Sequence, residues 1–378
     1  YKFGYEYSDC WVDDSRLVIL NAVDAAKNGA KLQNYTKVTK VTKSDGIWLI
    51  TTTDSIDNTQ NTIKAKCFIN ASGPWVDDVL QESFSNKNTK NVRLVRGSHI
   101  VVDKLYDHDK SFICQNDDGR IFFLIPYEDK FTLIGTTDID HGRSASEVEI
   151  SEEEKQYICD SANTYLNSEI KLSDIVWSYS GVRPLYDDGA SKAQEATRDY
   201  VIKAEEHDSS LMINIFGGKI TTYRRLSEAI LKHIETFLGQ RGNPWTHNSY
   251  LPGGDFDVDG LFDLNNKIQE KYPFLNEEIV KRLVRSYGTV SFDIFASAKN
   301  IESLGESFGS GLYEKEVVYL VQNEWARTSE DILFRRSKLG LSLTKNEKQK
   351  LDQFLEKYQK LSKTSESSVK QDNIVETV

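Results

Sequence analysis

A chain of 378 residues exceeds one ordinary domain, so two domains are expected. With 58 acidic against 47 basic side chains, the formal charge of −11 argues against a general nucleic-acid binder but leaves room for a local basic pocket. Hydrophobic content of 39% suffices for a sizeable core, and no run of about 18 apolar residues is present to form a transmembrane helix, so any membrane contact is peripheral.

In chain order, Asp13, Asp14 and Ser15 precede a helical apolar pattern that starts at Arg16 and ends near Asn28-Gly29. Segments 36–42, 47–53 and 62–70 are rich in Thr, Val and Ile and read as strands, with Asp45-Gly46 a hairpin turn between the first two. The third ends on Ala71-Ser72-Gly73-Pro74, and Pro74 suits the first turn of a helix over 75–81. Segments 92–103, 121–126 and 131–136 read as further sheet. Asp117-Asp118-Gly119 is a hairpin turn. A helix from Ser151 to about Asn167 opens on a capping box, Ser151 to Glu154. Strands follow at 175–180, 200–204 and 211–216. A long amphipathic helix then spans 220–238, with Leu226, Ile230, Ile234 and Phe237 on one stripe and Gly239 as its stop.

Composition shifts after Asn243-Pro244. Beyond the linker Leu251-Pro252-Gly253-Gly254-Asp255, helical spacing dominates at 257–270, 275–287, 313–326, 329–338 and 344–361, the last opened by a capping box at Thr344 and Glu347. The expected organisation is an α/β-type or α+β domain over 1–244, an all-α domain over 245–361, and a disordered tail over 362–378. Cys10, Cys67, Cys114 and Cys159 are widely spaced, with no Cys-x-x-Cys and no His at metal-ligand spacing; they read as four reduced thiols, and no metal site is expected.

Six segments can carry chemistry. Asn70-Ala71-Ser72-Gly73-Pro74-Trp75 is either a tight strand-to-helix turn or a place where a phosphate meets free helix N–H groups. Phe216-Gly217-Gly218-Lys219-Ile220-Thr221-Thr222-Tyr223 repeats the idea with a cation at the helix start; a glycine hinge is the alternative, and the P-loop pattern is absent. Arg183, before Pro184, is disfavoured for helix and stands extended or in a turn. Arg198 leads into the next strand. Both guanidinium forks suit bidentate contact with phosphate, the alternative being ion pairs with Asp187, Asp188 or Asp199. His99 starts an apolar strand beside Gly97, and is either structural or the acceptor of a hydroxyl proton. Ile134-Gly135-Thr136-Thr137-Asp138 is a plausible pocket wall.

These motifs together resemble the FAD-dependent glycerol-3-phosphate dehydrogenase family. The carrying segments are DCWVDD (9–14), NASGPWVDD (70–78), RGSHIVV (96–102), QNDDGRIFFLIPYE (115–128), TLIGTTD (132–138), WSYSGVRPLYDD (177–188), ATRDY (196–200), FGGKITTYR (216–224), LPGGDF (251–256) and EWARTSEDILFRRSKLGL (324–341). The resemblance implies an FAD-binding fold of the glycine-oxidase and amino-acid-oxidase kind, a substrate-binding sheet and an α-helical cap. It implies oxidation of sn-glycerol 3-phosphate to dihydroxyacetone phosphate, with hydride passing to FAD and electrons then to membrane quinone. A glycerol-3-phosphate oxidase that passes electrons to oxygen shares these motifs and is the nearest alternative. His99 would be the general base, and Arg183 and Arg198 would bind the phosphate or the C2 oxygen. Lys219 would face the flavin edge that gains charge on reduction. Ser72, Gly73, Gly217, Gly218 and Thr221 would line the FAD, and the strand at Val38 would lie near its adenine. A homodimer at the cytoplasmic face of the inner membrane is also implied.

One departure is large. Family members open with a βαβ unit bearing Gly-x-Gly-x-x-Gly, which seats the FAD pyrophosphate on a helix N-terminus. That fingerprint is absent from these residues, which open at Tyr1 inside what reads as a structured segment. The resemblance therefore covers roughly the last three-quarters of the family pattern. An upstream deletion, a split gene or a trimmed chain would each produce this pattern; this segment by itself is expected to be inactive, and a non-catalytic remnant or one half of a split enzyme is a competing reading.

Overall fold

The structure, a computed structural model, describes residues 4–84, 90–142, 144–187 and 199–370, with side chains through 81 in the first of these spans and through 361 in the last. Its contacts divide the chain into two compact units, Tyr35–Trp245 and the pair Tyr1–Asn34 with Thr246–Val378. The first helix, α1 (Asp14–Lys27), is capped by Asp13, whose side chain accepts from the Arg16 N–H. It groups with the helical unit, whereas the sequence reading placed it with the sheets. The reason is a contact between residues far apart in sequence, described below.

The sheet unit contains three sheets. β1 (Thr36–Ser44), β2 (Ile47–Asp54) and β3 (Gln60–Ala65) form an antiparallel meander. Asp45 and Gly46 both have positive φ, 52° and 72°, as a tight hairpin requires. The segment 62–70, expected as one strand, feeds two sheets. β3 pairs with β2, while β4 (Cys67–Asn70) runs parallel to a strand far along the chain. Polar, exposed residues make up most of β3, and the buried side chains, Phe68 and Asn70, lie in β4. After β4 a short 3-10 turn, Gly73–Trp75, leads into α2 (Val76–Phe84).

The second sheet has β5 (Val92–Asp103) near its centre. β6 (Phe112–Gln115), β7 (Ile121–Tyr127) and β8 (Phe131–Gly135) follow it, with the short β9 (Ile139–Asp140) pairing back onto β5. Neither β6 nor β9 was evident from sequence. α3 (Glu152–Asn163) starts at the expected capping box, both of whose hydrogen bonds form. β10 (Ile175–Tyr186) continues beyond the predicted strand and carries Arg183 and Pro184 in extended backbone. Pro184 is tolerated because β10 is an edge strand in the order β10-β5-β8-β7-β6. Ile100, Val102, Leu124 and Ile134 on one face pack against Ile158, Cys159 and Ala162 of α3.

The third sheet is β11 (Val201–His207), β12 (Ser210–Phe216) and β4. Every residue of β12 is buried. Leu211, Ile213 and Ile215 meet Leu226, Ile230, Ile234 and Phe237 of α4 (Tyr223–Leu238), the stripe read from sequence. On its other face Met212 joins Trp48 and Phe68, and the Trp48 indole donates to Leu211 O at 2.9 Å.

The helical unit comprises α1, α5 (Leu261–Lys271), α6 (Glu277–Tyr287), α7 (Ser291–Phe295), α8 (Glu314–Asn323) and α9 (Lys345–Lys370), with a π-helical stretch Asp331–Arg336 where an α-helix was expected. A single core including Ile268, Leu283, Phe295, Leu304, Phe308, Leu320 and Leu351 fills it. Helix α9 continues through Lys370, beyond Ser362, where the sequence reading began a disordered tail. Arg16 of α1 is buried here: it donates bidentately to Glu324 at 2.6 and 2.9 Å and through Nε to Ser286 O at 3.0 Å. That ion pair fixes α1 to this unit.

Candidate functional site

Antiparallel pairing decides what shares a face. In the second sheet the register sets His99 opposite both Tyr179 and Gly135, Gly97 opposite Gly181, and Val95 opposite Arg183. Cross-strand partners point the same way. His99, Arg183, Tyr179 and three glycines therefore lie on the face turned away from α3.

The glycines make the room. A β-carbon on Gly135 would come within 2.4 Å of His99 Cδ2. One on Gly97 would come within 2.7 Å of both Arg183 Nη1 and Thr136 Oγ1. The imidazole stacks on the Tyr179 ring, with centroids 5.0 Å apart and planes 9° apart. Its Nδ1 is buried without a hydrogen-bond partner. Burial first, and then the Arg183 charge, push the His99 pKa down to about 4, so the ring is neutral near pH 7. Arg183 is held by Asp138, Nη1 to Oδ1 at 2.5 Å, with Thr136 Oγ1 at 3.4 Å from Nη2. Its side chain remains 39% exposed.

Asp138, at the end of the Ile134–Asp138 segment, is an acidic partner of Arg183 that sequence reasoning did not name; of the acids it did name, Asp188 lies outside the described residues. The motif hinted at a pocket wall, but only strand register brings it to Arg183. Arg198 lies outside the described residues.

The other predicted residues gather at the end of the third sheet. β4 and β12 are parallel neighbours, with Asn70 opposite Asn214, so both strand-to-helix turns leave the same, carboxyl, end. One turn carries Ser72 and Gly73, and the other Gly217, Gly218 and Lys219. Parallel sheets place ligands at that end. Ser72 Oγ donates to Asn70 Oδ1 at 2.5 Å. Gly73, Gly217 and Gly218 all have positive φ, which glycine adopts without strain. The first turns after Ser72 and after Lys219 and Thr222 have no side-chain cap on their N–H groups. Lys219 and Thr221 are exposed.

The two regions meet at Gly217. A β-carbon there would lie 3.0 Å from Asp199 O, a tight contact, and 3.5 Å from Pro184 O, an ordinary one; the φ of 69° favours glycine where the turn passes β10 beside Arg183. Val38 is apart from these groups and packs with Val41, Trp48 and Ile50.

The donor chemistry fits a flavin. Bare glycine turns and uncapped N–H groups suit its polar edge and phosphates, the Lys219 cation suits an edge that gains negative charge, and the unpartnered His99 nitrogen lies on the neighbouring sheet.

Comparison with known proteins agrees. Residues 1–224 match the FAD dependent oxidoreductase family model, and residues 244–368 match the C-terminal domain of alpha-glycerophosphate oxidase. The chain is 42% identical over 348 residues to D-erythritol 1-phosphate dehydrogenase of Brucella abortus, covering 92% of this chain and 69% of that protein. It is 40% identical to a glycerol-3-phosphate dehydrogenase of Pseudomonas aeruginosa, covering 93% and 69%, and 38% identical to the aerobic glycerol-3-phosphate dehydrogenase of Escherichia coli K12, covering 96% and 73%. The fold matches the glycerol-3-phosphate dehydrogenase of Bacillus halodurans, solved with FAD, at a TM-score of 0.72 and 26% identity, covering 91% of this chain and 72% of that one.

Proposed function

The chain belongs to the FAD-dependent glycerol-3-phosphate dehydrogenase family, and on that premise we propose that it serves to oxidise sn-glycerol 3-phosphate to dihydroxyacetone phosphate. The observation that carries this reading is a neutral, unpartnered His99 nitrogen on the same sheet face as the Arg183 guanidinium. FAD, when bound, supplies the acceptor for the hydride leaving C2. His99 takes the C2 hydroxyl proton, which a neutral ring with a free nitrogen can accept. Arg183, fixed by Asp138 yet partly exposed, offers its remaining N–H groups to the phosphate or the C2 oxygen. Arg198 is assigned the same kind of contact. Lys219 and the uncapped turn behind it supply positive potential at the cofactor edge. Ser72, Gly73, Gly217, Gly218 and Thr221 line the cofactor, and Val38 lies toward the adenine.

For the electron acceptor we propose a quinone reached by peripheral contact with the cytoplasmic face of the inner membrane, the enzyme working as a homodimer; the relatives are named dehydrogenases, one of them aerobic. Among the described residues no helix is long and apolar enough to cross a membrane. The oxidase description of the C-terminal family favours oxygen as a second reading. Peroxide release in air, compared with dependence on added quinone, separates the two. The 42% match to a D-erythritol 1-phosphate enzyme favours a longer polyol phosphate as a second substrate reading. The flavin-loaded enzyme tests both: a higher kcat/KM for glycerol 3-phosphate than for D-erythritol 1-phosphate supports the proposal, and the reverse order transfers it to the four-carbon substrate.

A further inference from the structure

The face of the β5 sheet turned toward α3 holds a buried carboxylate, Glu154, only 3% exposed. Its Oε1 accepts from Ser98 Oγ at 2.8 Å and from Thr137 Oγ1 at 2.9 Å. Its Oε2 accepts from the Ser151 N–H at 2.9 Å and pairs with Arg96 Nη2 at 2.7 Å. Thr137 Oγ1 also receives the Ser98 N–H at 3.0 Å, and Ser98 Oγ lies 2.8 Å from Ser180 Oγ.

The residues tied together here are the chain neighbours of the site. Ser98 lies between Gly97 and His99. Thr137 lies between Thr136 and Asp138, which hold Arg183. Ser180 lies between Tyr179, stacked on His99, and Gly181. In a pleated strand successive side chains alternate between faces, so anchoring Ser98 and Ser180 from behind fixes their neighbours in front; Thr137, in the irregular segment between β8 and β9, is tied to the same carboxylate and to the Ser98 N–H and so holds Thr136 and Asp138 through the chain. A capping box at the start of α3 needs only the Ser151 contacts; it does not account for the hydroxyls of Ser98 and Thr137 meeting on Oε1.

We infer that Glu154 is a positioning residue for the oxidation, setting His99, Tyr179 and the Asp138–Arg183 pair from the opposite face of the sheet through Ser98, Ser180 and Thr137. The inference rests on the roles given to His99 and Arg183 in the proposed function.

The test is steady-state kinetics of the flavin-loaded enzyme with glycerol 3-phosphate, well below each variant's melting temperature. Thr137→Val and Glu154→Gln are expected to lower kcat and raise KM together, with kcat/KM falling about a hundredfold, as small misplacements of reacting groups do. Thr137→Ser keeps the hydroxyl and restores kcat/KM to within about threefold on the same argument. Ser151→Ala removes the helix cap alone, lowering thermal stability and leaving kcat and KM unchanged. If Glu154→Gln does not fold, Thr137→Val and Ser98→Ala carry the test. Folded Thr137→Val with kcat and KM within about twofold of wild type overturns the inference, as does equal kinetic loss in Ser151→Ala. His99→Asn is measured alongside: undiminished turnover there would remove the functional reading itself, whereas a large loss there with an unaffected Thr137→Val removes only the role of Glu154.

Discussion

Both units bury ionisable groups, and they use them differently. In the helical unit two buried carboxylates are paired on both oxygens, although Arg282 Nε is buried without a partner. Glu324, fully buried, takes both forks of Arg16, while its carbonyl accepts from Arg336 at 2.7 Å. Glu316, also fully buried, takes Arg282 bidentately at 2.6 and 2.7 Å and the Tyr287 hydroxyl at 2.7 Å. In the sheet unit His99 has a nitrogen with no partner, and Arg183, held by Asp138 and Thr136, remains 39% exposed. Desolvating a polar group without a hydrogen bond costs stability. A closed network repays that cost within the fold; an open one leaves it for a ligand to repay. The difference fits an architectural role for the helical pairs and the functional role proposed for the sheet face.

The largest expected effect separates these roles most sharply. His99→Asn removes the proton acceptor and should lower kcat by about 10²- to 10⁴-fold while leaving the melting temperature close to wild type. A matching loss of stability would make His99 a packing residue instead.

Next is Arg16→Ala. Breaking a buried ion pair from one side strands the other charge, and a loss of about 3–5 kcal/mol is expected by chemical denaturation. The same variant, folded, should retain wild-type kcat. A large kinetic defect with little loss of stability would dissolve the contrast between the units.

A third effect concerns acid. The His99 pKa is depressed in the folded state to about 4, from the ordinary histidine value of 6.5. An unfolded chain binds the proton near pH 6.5 and the folded protein not until near 4. Its contribution is therefore complete above about pH 6.5 and declines as pH falls toward 4, by about 3 kcal/mol at most. Denaturation midpoints across that window should show the decline in the wild type and a shallower one in His99→Asn. Bound dianionic substrate should counter the effect by raising the His99 pKa.

The smallest effect is steric. The β-carbon of Gly97→Ala would meet Thr136 Oγ1 and the flexible end of Arg183, and the latter can move aside. KM should rise about tenfold as the guanidinium is displaced, with stability changed by less than about 1 kcal/mol. An unchanged KM would show that Arg183 has no need of its present position.

Much of the fold was legible in sequence because local chemistry carried it. The Asp45-Gly46 hairpin, both capping boxes and the apolar stripe of α4 depend on residues within a few positions of each other. Membership of α1 in the helical unit was not legible, because it rests on Arg16 finding Glu324 at a separation of 308 residues. The division of 62–70 between two sheets was hidden because β4 finds its partner in β12, far along the chain. The site shows the same limit. His99, Arg183 and the glycine turns were visible one by one as unusual residue types. Their convergence, Asp138 as the partner of Arg183 and Glu154 behind His99 depend on strand register, which spacing along the chain does not encode.

The central claim is that the His99–Arg183 face oxidises a polyol phosphate against bound FAD. Anaerobic rapid mixing of the flavin-loaded enzyme with glycerol 3-phosphate tests it most directly, because it isolates hydride transfer from the later electron acceptor. The account predicts rapid loss of the flavin's visible absorbance in the wild type and a rate at least about 10²-fold slower in His99→Asn. Equal bleaching rates in the two enzymes, or no bleaching by any polyol phosphate, would contradict it.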